Sequence, residues 1–257
     1  VNQLFFFFLL IIISACTKNQ PPAEPPPGNT VIYYDKNSST QVVSQIFKYD
    51  GIIETNLTND LTYNYWWVRV SADKTKFLCY RSPKVNNNYL DNKSNDYANA
   101  DLMVFNIDGT NPKVIIQKGK YGWSEQGVAK FSPDGTKILM AALCTDPARG
   151  SNDLHWRLVI TDINGNNPKI ISTRNSLFAD PAWSPDEKKI VYVTLPPGML
   201  IGYQDQFELY AADYNATTKE IENEIRLTND DKYCFDPCWS PDGKYISFSR
   251  SKFLELI

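Results

Sequence analysis

The chain has 257 residues, 42% hydrophobic and 13% aromatic, with a formal net charge of -3. That is enough apolar material for a sizeable all-β core, and it lacks the strongly basic balance that non-specific nucleic-acid binding needs. A single histidine, His155, leaves little material for a zinc site or for a Ser-His-Asp triad.

Residues 4–13 form an unbroken apolar run. It is too short to span a bilayer as a helix and fits the core of a signal peptide. Ile13-Ser14-Ala15-Cys16 follows at once and resembles a bacterial lipobox. That resemblance implies cleavage before Cys16 and a diacylglyceryl group on its sulfur. Val1-Asn2-Gln3 departs from the pattern in carrying no basic residue. Residues 1–15 therefore read as a lipoprotein signal peptide. Residues 16–30 read as the lipidated cysteine and a spacer, because Pro21, Pro22, Pro25, Pro26 and Pro27 hold a chain extended at about 3.1 Å per residue.

From residue 31 to residue 257 the pattern is β throughout. Strands are expected over 31–35, 45–49 and 52–57, with Asp50-Gly51 in the turn. They form the last three strands of a four-stranded unit. A worn turn, Ser71-Ala72-Asp73-Lys74, follows, then an apolar run and a hairpin at Asp108-Gly109. The cycle repeats with Phe131-Ser132-Pro133-Asp134-Gly135 and a hairpin at Asn164-Gly165. It returns with Trp183-Ser184-Pro185-Asp186-Glu187 and again with Trp239-Ser240-Pro241-Asp242-Gly243. Ser-Pro-Asp-Gly is turn chemistry: proline presets φ, aspartate holds the bend through its own side chain, and glycine relaxes the exit. Asp-Gly and Asn-Gly between apolar runs are hairpin signals. Two hairpins at a spacing of roughly 50 to 60 residues mark a repeat of four-stranded antiparallel sheets, which is a β-propeller blade.

The phrase Trp239-Ser240-Pro241-Asp242-Gly243-Lys244 and its copies resemble the Pro-Asp repeats of TolB-like β-propellers. The resemblance covers residues 31–257 and implies a six-bladed ring, of which this sequence supplies about four and a half blades. The alternatives are a small ring closed by its first and last strands and an incomplete ring, and the incomplete ring is the one expected. The repeat decorates exported proteins of many functions, so it speaks to fold far more than to task.

Besides Cys16 there are four cysteines, Cys79, Cys144, Cys234 and Cys238. They allow three pairings, and spacing does not choose among them. Cys234 and Cys238 lie close enough for a local bridge, and small buried hydrophobes are the alternative. Asp162-Ile163-Asn164-Gly165 is a poor calcium loop, because Asn167 and Thr173 stand where glycine and glutamate are needed. No cofactor and no metal is expected. Asp180 and Asp236 precede Pro181 and Pro237 at equivalent points of two repeats, which favours a loop-shaping role. Pro133, Asp134, Gly135, Pro185, Asp186, Pro241, Asp242 and Gly243 are the structural turn residues.

Propeller topology puts the tight turns on one face and the longer connections, among them residues 81–100, 144–154 and 194–206, on the other. Those connections are rich in rings, which suit recognition. The candidate binding residues are Tyr65, Trp66, Tyr89, Tyr121, Trp123, Trp156, Phe178, Tyr203, Tyr233 and Phe235, with about half of the rings on these connections expected to plug the space between blades. The resulting expectation is a lipid-anchored, exported, non-enzymatic scaffold in the bacterial cell envelope. Its partner would be an envelope protein, a glycan or a peptide, and not nucleic acid. Thr17 does not resemble the aspartate that keeps lipoproteins in the inner membrane, so outer-membrane anchoring is expected, facing either side. The alternatives are a propeller that hydrolyses or lyses polysaccharide, and the accessory propeller of a peptidase. Acids with raised pKa values clustered at the channel mouth would favour the former.

Overall fold

The computed structural model describes residues 31–37, 43–84, 96–171, 180–197, 207–229 and 232–251. Apart from two single-turn 3-10 helices, Tyr97–Asn99 and Pro147–Arg149, all regular structure among these residues is β. The first sheet holds β1 (Ile32–Asn37), β2 (Ser44–Tyr49) and β3 (Glu54–Asn56). The second holds β4 (Tyr63–Val70), β5 (Lys76–Pro83), β6 (Asp101–Asn106) and β7 (Lys113–Ile116). The third runs β8 (Glu125–Phe131), β9 (Lys137–Asp146), β10 (Ser151–Asp162) and β11 (Lys169–Ile170). The fourth runs β12 (Ala182–Trp183), β13 (Lys189–Thr194), β14 (Glu208–Asn215) and β15 (Glu220–Arg226). A last pair, β16 (Tyr233–Trp239) and β17 (Ile246–Ser251), makes a two-stranded sheet. Each strand pairs antiparallel with its sequence neighbour, so each sheet is one blade, with β4, β8, β12 and β16 innermost.

The turns behave as their residue types require. Ser132 Oγ donates to Asp134 at 2.5 Å and accepts the Lys137 N–H at 2.9 Å. Asp134 in turn accepts the Thr136 N–H at 2.9 Å. The same triangle recurs around Ser71 and Asp73, Ser184 and Asp186, and Ser240 and Asp242. The residue after each aspartate is left-handed: Lys74 at φ 57, Gly135 at 70, Glu187 at 60 and Gly243 at 70. Hydrogen bonds to the ionised carboxylates hold these aspartates below the usual range, Asp73 at about 2.

Alternation along the strands builds the core. On β5, Leu78 and Tyr80 pack toward the third blade, and Phe77 and Cys79 toward the first. On β9, Ile138 and Met140 face the second blade while Leu139 and Ala141 face the fourth, against Trp183, Ile190 and Tyr192. Central strands are therefore buried on both faces, and the core lies between blades. Two outer turns tighten these interfaces. A Cβ on Gly109 would stand 2.6 Å from the Leu57 carbonyl oxygen of the first blade. One on Gly165 would stand 2.7 Å from the Ile115 oxygen of the second. Both glycines also sit at positive φ, so each turn requires glycine twice over.

Three expectations need adjustment. The connection expected over residues 144–154 is mostly strand: β9 extends to Asp146, β10 starts at Ser151, and Gly150 at φ 75 closes the short turn between them. The third strand starts at Glu54, not at residue 52, because Asp50 draws the Ile52 and Ile53 N–H groups into its turn. Cys234 and Cys238 are unbridged, as are Cys79 and Cys144. Cys234 is buried in the core and Cys238 is exposed, since the strand is bulged between them.

Candidate functional site

The inner strands share a defect. In β4, Trp67 and Val68 together oppose Cys79, a β-bulge. In β8, Val128 and Ala129 oppose Met140. In β16, Asp236 and Pro237 oppose Phe248. Trp67, Val128, Asp180 and Asp236 all take positive φ, at 61, 53, 31 and 51. Each lies four positions before its turn serine, and the backbone device is the same in four blades.

These bulges aim side chains at one place. Trp67, Val128, Asp180 and Asp236 line a cavity of about 310 Å³ together with Tyr97, Val193, Tyr233, Cys234 and Phe235. Tyr97 reaches the wall from the connection between β5 and β6, edge-on to both Trp66 and Trp156 with centroids 6.2 Å away. It lies against Gly127, where a Cβ would come within 2.9 Å of its ring. Tyr233 and Phe235, two apart on β16, stack with centroids 5.6 Å apart.

Charges ring this cavity unevenly. Two positions before the turn serine stand Arg69 and Lys130 in the second and third blades, and Ala182 and Cys238 in the fourth and fifth. Lys130 Nζ lies 3.6 Å from Asp180 Oδ1. Asp180 Oδ2 accepts the Asp236 N–H. Arg69 stacks on the Trp67 ring at 4.1 Å and donates to the Val68 carbonyl at 2.9 Å. The Trp67 N–H donates to Asp35 at 3.2 Å. Burial pushes Asp180 up and Lys130 down, each toward its neutral form, and their mutual attraction opposes both shifts. Asp35 is open to water in area, yet enough protein surrounds it to push its carboxyl up as well. Burial, reinforced by Asp180 and Asp236, raises Tyr97 and Tyr233 to about 12, so both hydroxyls stay protonated at neutral pH. Asp236 is exposed, and its carboxylate accepts no hydrogen bond among the described residues.

The candidate rings divide. Tyr233 and Phe235 line the cavity. Tyr65, Trp66 and Trp156 do not lie on a loop face: they sit on β4 and β10 and are buried, because those strands are covered on both sides. Tyr121 and Trp123 are half-buried between blades, the Tyr121 hydroxyl donating to the Gly165 carbonyl at 2.7 Å. Tyr89, Phe178 and Tyr203 lie outside the described residues. His155 sits on β10 opposite Cys144, with burial lowering its pKa. The Asp162 carboxylate is occupied by the Asn164 and Asn166 N–H groups, each at 2.9 Å. Trp67, Arg69, Val128 and Lys130 escaped sequence reading. Superimposing the repeats on their turn serines brings Trp67 and Val128 into register with Asp180 and Asp236, and Arg69 and Lys130 into register with Ala182 and Cys238.

No family model matches the chain. A Tol-Pal system protein TolB from Ruthia magnifica subsp. Calyptogena magnifica is 29% identical over 104 residues, 40% of this chain and 22% of that protein. The crystal structure of TolB from Acinetobacter baumannii superimposes with a TM-score of 0.62 at 16% identity, covering 88% of this chain and 49% of that one. A putative TolB from Agrobacterium tumefaciens gives 0.61 at 17%, covering 87% and 70%. The fold is that of a TolB-like β-propeller. The chain spans about half the length of the Acinetobacter protein. In this TolB-like propeller the cavity is lined by different side chains at one repeated position, Trp67, Val128, Asp180 and Asp236.

Proposed function

We propose that this TolB-like propeller is a non-catalytic binding module of the bacterial cell envelope, tethered through a lipid on Cys16, and that its central cavity and the connections around it engage an envelope protein. One observation carries the reading. Three blades use the same bulge, and a fourth the same left-handed backbone at Asp180, to present Trp67, Val128, Asp180 and Asp236 to one aromatic-walled cavity. Rings of low conformational entropy beside a few polar groups are what recognition sites are made of. The likeness to TolB, named in its relatives as a Tol-Pal system protein, supports an envelope setting. The Cys16 motif and the proline spacer support anchoring, with Thr17 favouring the outer membrane.

The test is cross-linking and capture from envelope membranes with the full, lipidated chain, beside a Phe235→Ala, Asp236→Lys variant. An envelope protein retained by the wild type and lost by the variant is the expected result. Equal retention overturns the assignment to the cavity.

A polysaccharide-cleaving propeller is the second reading, favoured by Asp180 and Asp236 meeting at the cavity with the Asp180 carboxyl pushed up. Against it, Asp180 is held by Lys130 and by the Asp236 backbone, an arrangement that suits a carboxyl fixed in the wall.

A further inference from the structure

We propose that the cavity is a receptor for a primary ammonium group on a slender aliphatic chain, the chemistry of a lysine side chain or of a peptide N-terminus. The inference rests on the binding-module reading above and names the group that the cavity takes.

The lining decides the sign of the ligand. Asp180 and Asp236 are its charged members, and neither Arg69 nor Lys130 borders the space. The wider cluster sums Asp35, Asp180 and Asp236 against Arg69 and Lys130, which leaves one negative charge uncompensated. Asp180 is 6% exposed, and its Oδ1 has no hydrogen-bond partner, with Lys130 Nζ 3.6 Å away. A carboxylate oxygen left so in a low-dielectric wall strengthens the field felt by any cation entering beside it. Asp236, on the adjoining strand, is exposed and free to make the direct ion pair.

The walls decide its shape. Trp67, Tyr97, Tyr233 and Phe235 line the space with aromatic rings, and a ring face, through its negative quadrupole, attracts desolvated cations. The molecule already uses one such face, for Arg69 over Trp67 at 4.1 Å. A volume of about 310 Å³ equals about ten waters of bulk liquid, room for an alkylammonium with its last hydrating waters. A bare divalent ion fits less well: among the described residues no group of three or more His, Cys, Asp or Glu is placed to hold one, and hard cations want six or more oxygens.

The experiment titrates the purified full chain with n-butylammonium chloride, followed by tryptophan and tyrosine fluorescence and by calorimetry, with 1-butanol as the neutral counterpart of similar size. Saturable binding of butylammonium, absent for 1-butanol and weakened roughly tenfold or more by Asp236→Asn, is expected. Because Asp236 is exposed, the variant folds, and its melting curve checks this. Phe235→Leu keeps the charge and thins the wall, and a smaller loss is expected there. Equal binding of butylammonium and 1-butanol, or no change in Asp236→Asn, overturns the inference. Nα-acetyl-lysine methylamide and a lysine-free tripeptide with a free N-terminus then separate the two sources. If butylammonium fails to bind while an envelope protein is still captured through the cavity, the ammonium inference alone falls. If butylammonium binds and no envelope protein is captured, the inference stands and the scaffold reading falls.

Discussion

The turns that leave the inner strands and the bulges inside those strands lie four residues apart in sequence, yet they treat repetition in opposite ways. At the turns, four blades repeat the same side-chain network: serine hydroxyl to aspartate, aspartate to the backbone two residues on. At the bulges the backbone repeats and the side chains do not, since tryptophan, valine and two aspartates occupy one conformation. The turn residues make the conformation, so they cannot vary freely. The bulge is imposed by pairing with the neighbouring strand, and its side chain is left available for other work. Valine at φ 53 shows how strongly that pairing dominates, because a β-branched residue there is strained by about 1 to 3 kcal/mol.

The largest effect is expected at a turn outside this comparison, the outer one between β10 and β11, for Gly165→Ala. A Cβ there meets the Ile116 side chain at 2.5 Å and the Ile115 carbonyl at 2.7 Å, at φ 70. Combining left-handed strain with overpacking, a loss of about 4 kcal/mol is expected in urea unfolding. On the bulge side, Lys130→Met leaves the buried Asp180 carboxylate without its counter-charge. A loss of about 3 kcal/mol is expected at neutral pH, much of it recovered by the Asp180→Asn, Lys130→Met pair, as the same unfolding measurement reads out. If the single variant is as stable as wild type, the ion pair does not hold the fourth blade to the third.

Acid separates the two regions by sign. The folded pKa values of Asp73, Asp134, Asp186 and Asp242 lie below their unfolded values. Their stabilisation is complete above the unfolded value of 3.8 and is lost as pH falls through the folded value, about 2 for Asp73. Asp180 is raised, so its protonation on acidification favours the folded chain. Stability followed by circular dichroism from pH 7 downward is therefore expected to hold or rise slightly at first, then collapse below about pH 4. A steady decline from neutral pH, with no change in Asp180→Asn, contradicts the opposing signs.

How much of this was legible follows from the same contrast. Ser132, Pro133, Asp134 and Gly135 form their bonds within the turn itself, so residue types at short range announce them, and the blade count followed. Glu187 shows the limit. It takes the glycine conformation at φ 60 and reaches across to Lys137 at 3.1 Å and to the Asp134 N–H, a link between blades with no local signature. Tyr65 and Trp66 read as loop rings because their stretch carries polar neighbours, whereas β4 is an inner strand sandwiched by two blades. Tyr97 becomes part of the cavity through Gly127, far away in sequence, so nothing near it points there. Tyr233 and Phe235 were legible as candidates as rings of an expected connection, although β16 is what carries them to the cavity.

The glycines of the outer turns carry one more consequence. Gly109 seats on the end of the preceding sheet, and Gly165 does the same one blade later, so contact passes always from a blade to the one before it. Such an array couples nearest neighbours in a fixed direction, as solenoid repeats do. Opening of one sheet removes the seat of its successor's hairpin while leaving its predecessor's hairpin docked, and loosening therefore travels toward the C-terminus more readily than back.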